Sequence, residues 1–496
     1  MFKKRHITLL FLTFLLKGLW SQNITPIAVS NYGTAQSQFI SPSLNGYSPY
    51  NWHVNLAGAW VNGNNNFLSL HMPYSLYRAP NRIPEQYQTE NGNASFEDEW
   101  IWEHINGKQK CVDVASTIYG PSASVKVKNF RVGLISRGFA AGRLSGVSEN
   151  LAHAIYKEMD SAKGAFIYFN EFGTGLSNEG DKITMAAHSS AAVGLNLSYA
   201  LPLKHNRQFI GGISMKRNFG YQGAYFSSEK MILNSNKIDS VFFEPTSIQI
   251  MQFGENETAK GWGYDIGATY IFHKKEFKRN GPYQLNNTRY FSKLSVGLMD
   301  IGSVKYKDAY VANLSINNTL GFNTDSFDLD ISQDNYPSVL DSVLGIHGTY
   351  TDGRQSIRVG LPTRLVVSYD RQFRKHFFMS ATLSQSLRKR HSRHMRYQST
   401  LMLAPRWEWS YFEVSAPVEL GYDYRALRLG LSMRAGPLYL GTNSLLPFLY
   451  TRGFRDVDFF IGIAFGNLSD YGLLKSLEDR KERKAAKKRA KGCPEF

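Results

Sequence analysis

Two cysteines in 496 residues, Cys111 and Cys493, are too few for a disulfide scaffold or a cysteine-based zinc site. Long apolar runs are scarce as well. Beyond residue 21 no stretch approaches 18 consecutive apolar residues, which excludes a transmembrane helix there. The glycine-rich GTGLSNEG (Gly173–Gly180) has no following lysine and no strand–loop–helix setting, so it is not a phosphate loop. Acidic residues are outnumbered, 40 Asp and Glu against 57 Lys and Arg. The formal charge of +17 suits a polyanion: nucleic acid, lipopolysaccharide or anionic lipid.

What is present begins with an export pattern. Lys3, Lys4 and Arg5 precede the apolar run ITLLFLTFLL, and Gly18, Trp20 and Ser21 lead to Gln22. That order predicts a cleavable signal peptide over residues 1–21. The run is too short to anchor the chain by spanning a bilayer, and no cysteine follows it as in a lipoprotein. Export without a helical anchor leaves a soluble secreted protein or an outer-membrane β-barrel. The aromatics, 28 Tyr, 32 Phe and 8 Trp, accompanied by 42 Gly, suit the girdles and close strand packing of a barrel.

Period-2 alternation carries the fold prediction. In DVDFFIGIAFG, Val457, Phe459, Ile461, Ile463 and Phe465 share one face, opposite Asp456, Asp458, Gly462 and Ala464. YFEVSAPVEL, RALRLGLSMR and LPTRLVVSYD alternate in the same way. A soluble sandwich would alternate too, but the apolar faces here end repeatedly in aromatics, as in WGYDIGATYIF. Strands are expected over 52–72, 117–128, 130–139, 187–200, 206–217, 262–273, 291–301, 361–372, 374–386, 397–406, 409–419, 424–433, 437–443 and 456–466. The expected fold is therefore all-β: a transmembrane antiparallel barrel of about 14 strands (range 12–16). Long gaps at 73–116, 140–186, 218–261 and 302–360 all follow odd-numbered strands, which makes them extracellular and the short turns periplasmic. Asn62-Gly63 is a hairpin signal, but a turn there would make the count odd and invert that phase. The expected organisation is a signal peptide (1–21), an N-terminal luminal, plug-like segment (22–51), the barrel (52–466) and a basic periplasmic tail (467–496).

The blocks NYGTAQSQFISPSLNGYSPYNWHVNLAGAWVNGNNNFLSL, KGWGYDIGATYIF, KLSVGLMDIGSVKY, VGLPTRLVVSYD, LMLAPRWEWSYFEVSAPVEL and LRLGLSMRAGPLYLGTNSLL resemble, in order and spacing, an uncharacterised family of Bacteroidota outer-membrane barrels. The resemblance covers nearly all of the mature chain. Members are similar in architecture to long-chain fatty-acid transporter barrels, with an N-terminal segment that folds into the lumen. The resemblance implies a place, the Gram-negative outer membrane, and a shape. It carries no activity and no catalytic positions.

Alternation assigns Arg131, Arg137, Lys293, Arg364, Arg428 and Arg434 to the lumen, with Asp265, Asp370, Glu413, Glu419, Asp456 and Asp458. A polar conduit and a salt-bridged, stiffened interior both fit; the near balance of signs favours the second. No enzyme is expected. His188 and Ser189 are adjacent on a strand and face apart, and nothing orients His188 toward Ser190. No metal or cofactor is expected, since His391 and His394 lie among cations and His376 stands apart. The basic segment Ser386–Tyr397 is expected at the cell surface. There Arg388, Lys389, Arg390, Arg393 and Arg396 either contact lipopolysaccharide phosphates or form a solvated border. ENLAHAIYKEMD (Glu149–Asp160) predicts a helix in an external loop, capping or constricting the mouth with Leu151, Ile155 and Met159 on one side. The tail EDRKERKAAKKRAKGCPEF predicts a basic helix, solvated or held to lipid heads, peptidoglycan or an envelope protein partner; export excludes nucleic acid. The expected function is passage or capture of a small, partly hydrophobic molecule. The alternative is an interaction barrel that docks partners in envelope assembly or protein secretion.

Overall fold

The structure, a computed structural model, describes residues 25–73, 100–160, 182–203, 206–229, 233–237, 240–243, 245–254, 258–273, 290–316, 320–323, 348–449 and 453–467. The signal segment, the basic tail and Cys493 lie outside them.

Fourteen antiparallel strands form the wall. They are β1 (Trp52–Asn65), β2 (Lys110–Tyr119, continuing as Ser122–Val127), β3 (Phe130–Val147), β4 (Thr184–Leu203) and β5 (Arg207–Ser228). β6 (Thr246–Phe253 and Ala259–His273), β7 (Tyr290–Ile316), β8 (Gly348–Gly360 and Arg364–Gln372), β9 (Phe377–Ser386) and β10 (Thr400–Glu408) follow. The wall ends with β11 (Phe412–Ser415 and Val418–Gly421), β12 (Ala426–Leu429 and Leu431–Ala435), β13 (Leu438–Thr442) and β14 (Asp456–Asn467). β14 pairs back onto β1 from Trp52↔Asn467 to Asn64↔Asp456, so the sheet closes and no edge remains at the seam. Closure lets the ladder satisfy the backbone polar groups, as a strand in hydrocarbon requires.

The alternation resolves into two surfaces. Leu195, Leu197, Leu427, Leu429, Ile461 and Ile463 point outward and are exposed, while their neighbours along the same strands are buried. Trp52, Phe130, Phe209, Phe291, Trp407 and Tyr411 face outward near the short-turn end, forming the aromatic rim that borders an apolar belt. Long connections leave the other end after odd-numbered strands.

Two differences from the sequence reading have physical causes, and so does the silence of the hairpin signal that the strand phase overrode. β1 stops at Asn65, and Leu68–Leu70 pairs instead with Ile101–Glu103 outside the wall. Asn62-Gly63 does not turn, because Asn62 is buried and donates to Asp458 Oδ2 at 2.9 Å. β5, β6 and β7 run far past the expected ends, β7 over 27 residues. Their extensions (Thr246–Phe253 against Gly223–Ser228 and Tyr310–Ile316) project beyond the apolar belt, so hydropathy does not mark them.

Thr25–Tyr50 fills the half of the barrel nearest the short turns. Three single helical turns, Pro26–Val29, Thr34–Phe39 and Leu44–Tyr47, fold it compactly. Thr25 Oγ1 accepts from Ala28 N at 3.3 Å and Pro26 sits where its missing N–H costs nothing. The segment lies against a row of cross-strand neighbours, Gly212, Gly267 and Gly297. A Cβ at Gly297 would stand 2.6 Å from Ile40 O, and one at Gly267 would strike Ser41 Oγ. Only glycine lets the plug backbone approach the wall this closely. Ser43 Oγ bonds Thr269 Oγ1 at 2.8 Å, and Asn45 Nδ2 donates to Asn196 Oδ1 at 2.7 Å.

Candidate functional site: the charged lumen and its outer cavity

The inward positions of the strands assemble four charge clusters. In the first, Lys216 bridges Asp265 (2.7 Å) and Asp300, and Arg137 also pairs with Asp300. Asp300 sits at a bulge with φ 56°, next to Gly302 at φ 147°. The bulge turns its carboxylate inward, and its N–H donates to Asp265 Oδ1 at 2.7 Å. In the second, Asp370 accepts from Arg406 (2.6 Å) and Tyr290 (2.5 Å) and faces Lys293 at 3.3 Å, while Arg406 also pairs with Glu408. Glu408 reaches the plug, accepting Asn31 N (3.2 Å) on one oxygen and Asn31 Nδ2 (2.6 Å) on the other. In the third, Arg428 pairs with Glu419 (2.6 Å) and Asp458 (3.5 Å); Asp458 also accepts from Trp60 Nε1 (3.0 Å) and Asn443 N (2.8 Å). In the fourth, Arg434 lies 3.5 Å from Glu413 and 4.5 Å from the ring centre of plug residue Tyr32.

Of the twelve charges assigned to the lumen by alternation, eleven are buried inside the wall. Arg131 and Arg364 serve the plug rather than a carboxylate, donating to Ser48 O (3.1 Å) and Phe39 O (2.8 Å). Asp456 is half-buried at the long-connection end. Sequence reasoning missed Lys216, Asp300, Arg406 and Glu408. Lys216 and Arg406 obey alternation in strands already marked, and Glu408 continues the face of Arg406 two residues past the expected strand end, so counting inward positions that far would have found all three. Asp300 carries no such signal, because the bulge breaks the period.

The segment Leu387–Ser399 is a correction. Ser386–Tyr397 was expected at the cell surface, contacting lipopolysaccharide or forming a solvated border, but Leu387–Ser399 folds back into the barrel above the plug. Arg388 Nε donates to Leu361 O at 2.9 Å, Arg390 pairs with Asp113 (3.1 Å) and Asp423 (2.8 Å), and Arg396 pairs with Asp423 (2.6 Å). Met395 and Tyr397 are fully buried, Tyr397 packing on Phe139. Internal acids and carbonyls thus take three of the five cations expected at lipopolysaccharide. Lys389 remains exposed and Arg393 half-buried. Burial, with Arg388 and Arg393 beside it, pushes the His394 imidazole below its usual range, consistent with its Nδ1 accepting from Gly360 N at 3.0 Å.

The remaining candidates disperse. His188 packs on Phe253, and Ser190 Oγ donates to Met395 Sδ at 3.8 Å. His376 stacks on Trp409. Cys111 is buried. The helix Glu149–Asp160 forms, with Leu151 and Ala152 packed on Phe67, Val147 and Ile183; the side chains of Ile155 and Met159 lie outside the described residues.

Above Leu387–Ser399, at the long-connection end, a cavity of about 420 Å³ remains. Asn64–Asn66, Cys111, Asp113, Arg390, Tyr422 and Arg425–Leu427 line it, with Leu446 and Gly453–Asp456.

The fold and this interior define a closed fourteen-stranded antiparallel barrel of the transmembrane class, filled by its own N-terminal segment and an inward-folded connection. No helix among the described residues is long and apolar enough to cross a membrane. The chain belongs to DUF5723, a family of unknown function, whose match spans residues 48–443. No curated protein matches it. Among solved structures it is similar to the Ralstonia pickettii toluene transporter TbuX (10% identity, 90% of this chain and 98% of that one, TM-score 0.40). It is also similar to the Pseudomonas putida toluene transporter TodX (10%, 90% and 98%, 0.36) and a Pseudomonas aeruginosa FadL homologue (10%, 90% and 99%, 0.37).

Proposed function

We propose that this chain is an outer-membrane barrel that captures a small, partly hydrophobic molecule at its outer end and passes it inward when the plug shifts. The observation that carries the reading is the contrast along the barrel axis. The outer cavity is open, about 420 Å³, and mixes Leu427, Leu446 and Phe454 with arginines and asparagines. Below it, Leu387–Ser399 and Thr25–Tyr50 occupy the interior. The plug is held by hydrogen bonds, close glycine contacts and apolar packing of Ile27, Val29, Ile40, Leu44 and Tyr47 on the wall, and it lies in the path below the cavity, so passage requires it to shift. The apolar belt, the aromatic rim and the basic start of the chain support an outer-membrane location with the short turns in the periplasm. Two of the structures named above, TbuX and TodX, are toluene transporters.

Passage is tested by 2-naphthol flux into liposomes, comparing the full chain with a variant lacking residues 22–50. Heat-modifiable migration verifies that both barrels are folded. Faster flux on plug removal is expected; a folded, plug-free barrel that passes nothing would defeat the reading. The second reading, a docking barrel, is favoured by Trp102 and Ile105, 58% and 62% exposed at the long-connection end. Crosslinking and co-purification of a stable stoichiometric partner, with no flux, would establish it instead.

A further inference from the structure

On one flank of the barrel the apolar belt ends in cations. Along β6 the outward positions run from Phe272 through Tyr270, Ala268, Ile266 and Tyr264 to Trp262, and the next is Lys260. Phe272 to Trp262 is 11 residues counted inclusively, and a tilted strand needs about 9–11 to cross the hydrocarbon. Both ends of that span are exposed aromatics, which mark the two faces of the belt on this strand. Lys260 is therefore the first outward position beyond the hydrocarbon at the long-connection end, at the depth of the lipid headgroups.

The cross-strand register repeats the cation at that depth. Lys260 stands opposite Lys305 of β7, and Lys305 opposite Arg358 of β8. All three are exposed. Neighbouring strands lie about 4.8 Å apart, so three like charges fall within about 10 Å. Like charges directly opposite one another destabilise a sheet, and none of the three pairs with a carboxylate among the described residues. Asp308, three residues on from Lys305, is engaged by Arg354 at 2.7 Å. Asp265 and Asp300 on the same strands turn into the lumen, where Lys216 holds them. A further cation, Arg217 of β5, lies over the Trp262 ring, 5.0 Å from its centre, at the membrane edge of the row. The opposite flank differs, for the exposed side chains near the same end include Tyr424, Leu427 and Val457.

We propose that Lys260, Lys305 and Arg358 form a binding row on the outer wall of β6–β8 for the phosphate of an outer-leaflet glycolipid, the lipopolysaccharide class. Arg358 offers a planar fork that matches a phosphate, and the two ammonium groups act beside it as point charges. Trp262, Tyr264 and Ile266 lie directly below, against the acyl chains of the same molecule. The bound anion offsets the repulsion within the row. The contact expected of Ser386–Tyr397, whose cations mostly turn inward, thus moves to a different surface. This inference goes beyond passage and shares with that reading only the location and orientation of the barrel.

The test uses the full-chain barrel in dodecyl maltoside micelles and native mass spectrometry. It compares retention of bisphosphorylated lipid A, of the same lipid with its phosphates removed, and of phosphatidylglycerol. Bisphosphorylated lipid A is expected to be retained, less so as salt rises, because the charges are exposed. Lys305→Gln should weaken retention by about tenfold, the loss of one charge-assisted contact, and Lys305→Arg should keep it. Lys260→Gln, Lys305→Gln and Arg358→Gln together should abolish it. Lys128→Gln, Arg374→Gln and Lys375→Gln together delete the same charge at the short-turn end and should leave it unchanged. Heat-modifiable migration verifies that every variant is folded. Equal retention of the dephosphorylated lipid overturns the proposal, as does full retention by the folded Lys260, Lys305 and Arg358 variant or an equal loss in the short-turn variant. Displacement of lipid A by inorganic polyphosphate at matched phosphate concentration would assign the row to a soluble polyanion, and preferential retention of phosphatidylglycerol would assign it to the inner leaflet; either result overturns it too.

Discussion

Glu408→Ala separates the plug from the wall at one defined point. Glu408 holds Asn31 by two hydrogen bonds, N at 3.2 Å and Nδ2 at 2.6 Å, both to a carboxylate buried beside Arg406. A hydrogen bond to a charged group contributes about 1.5–3 kcal/mol. Taking the lower figure for each gives about 3 kcal/mol of plug anchoring, or roughly a hundredfold in the population of the locally detached state. Arg406 keeps Asp370 at 2.6 Å, so the wall around it remains paired. Hydrogen exchange read by mass spectrometry should therefore show Thr25–Tyr32 exchanging about a hundredfold faster, while β9 and β10 stay protected. Glu408→Gln, which keeps an acceptor and loses the charge, should fall between. Unchanged exchange over Thr25–Tyr32 would refute the anchoring argument, and so would equal loosening of the wall strands.

Other outcomes follow from the same geometry. Gly267→Val places a branched side chain where Ser41 Oγ and Pro42 lie; it should expose Ile40–Ser43 to added protease in a barrel that still shows heat-modifiable migration. Asp370→Ala removes the carboxylate shared by Lys293, Arg406 and Tyr290. Leaving buried cations unmatched should cost about 3–5 kcal/mol, read as a lower denaturant midpoint for unfolding from lipid vesicles. Because the neutral form of His394 is the one favoured in the fold, its contribution is intact above the usual imidazole value of 6.5 and is lost as pH falls below it. The protection of the Gly360 amide, its exchange corrected for the intrinsic slowing at low pH, should accordingly fall on acidification, and His394→Ala should abolish that loss.

The wall was legible because lipid and lumen impose opposite demands on successive residues. The alternation in DVDFFIGIAFG and RALRLGLSMR follows directly from that, and the phase of long and short connections fixes the strand count. Legibility stops where the demand stops. The outer half of β7, KYKDAYVANLSI, stands clear of the apolar belt and keeps no hydropathy contrast. Leu387–Ser399 misled for a different reason. A run of arginines and histidines looks like a solvated surface, and only the tertiary placement of Asp113, Asp423 and Leu361 O shows what those cations bind. The cavity arises from the shortness of β13, and a five-residue strand followed by a helical turn has no signature that separates it from an ordinary connection.

The central claim is that the plug must move for anything to pass. Ser43 Oγ on the plug and Thr269 Oγ1 on the wall are 2.8 Å apart, close enough for a disulfide to replace their hydrogen bond. In a Cys111→Ser, Cys493→Ser background, Ser43→Cys with Thr269→Cys should give a barrel that passes 2-naphthol into liposomes when reduced and none when oxidised, with both single-cysteine variants indifferent to redox state. Equal flux in the oxidised and reduced forms, or none in either, would contradict the account.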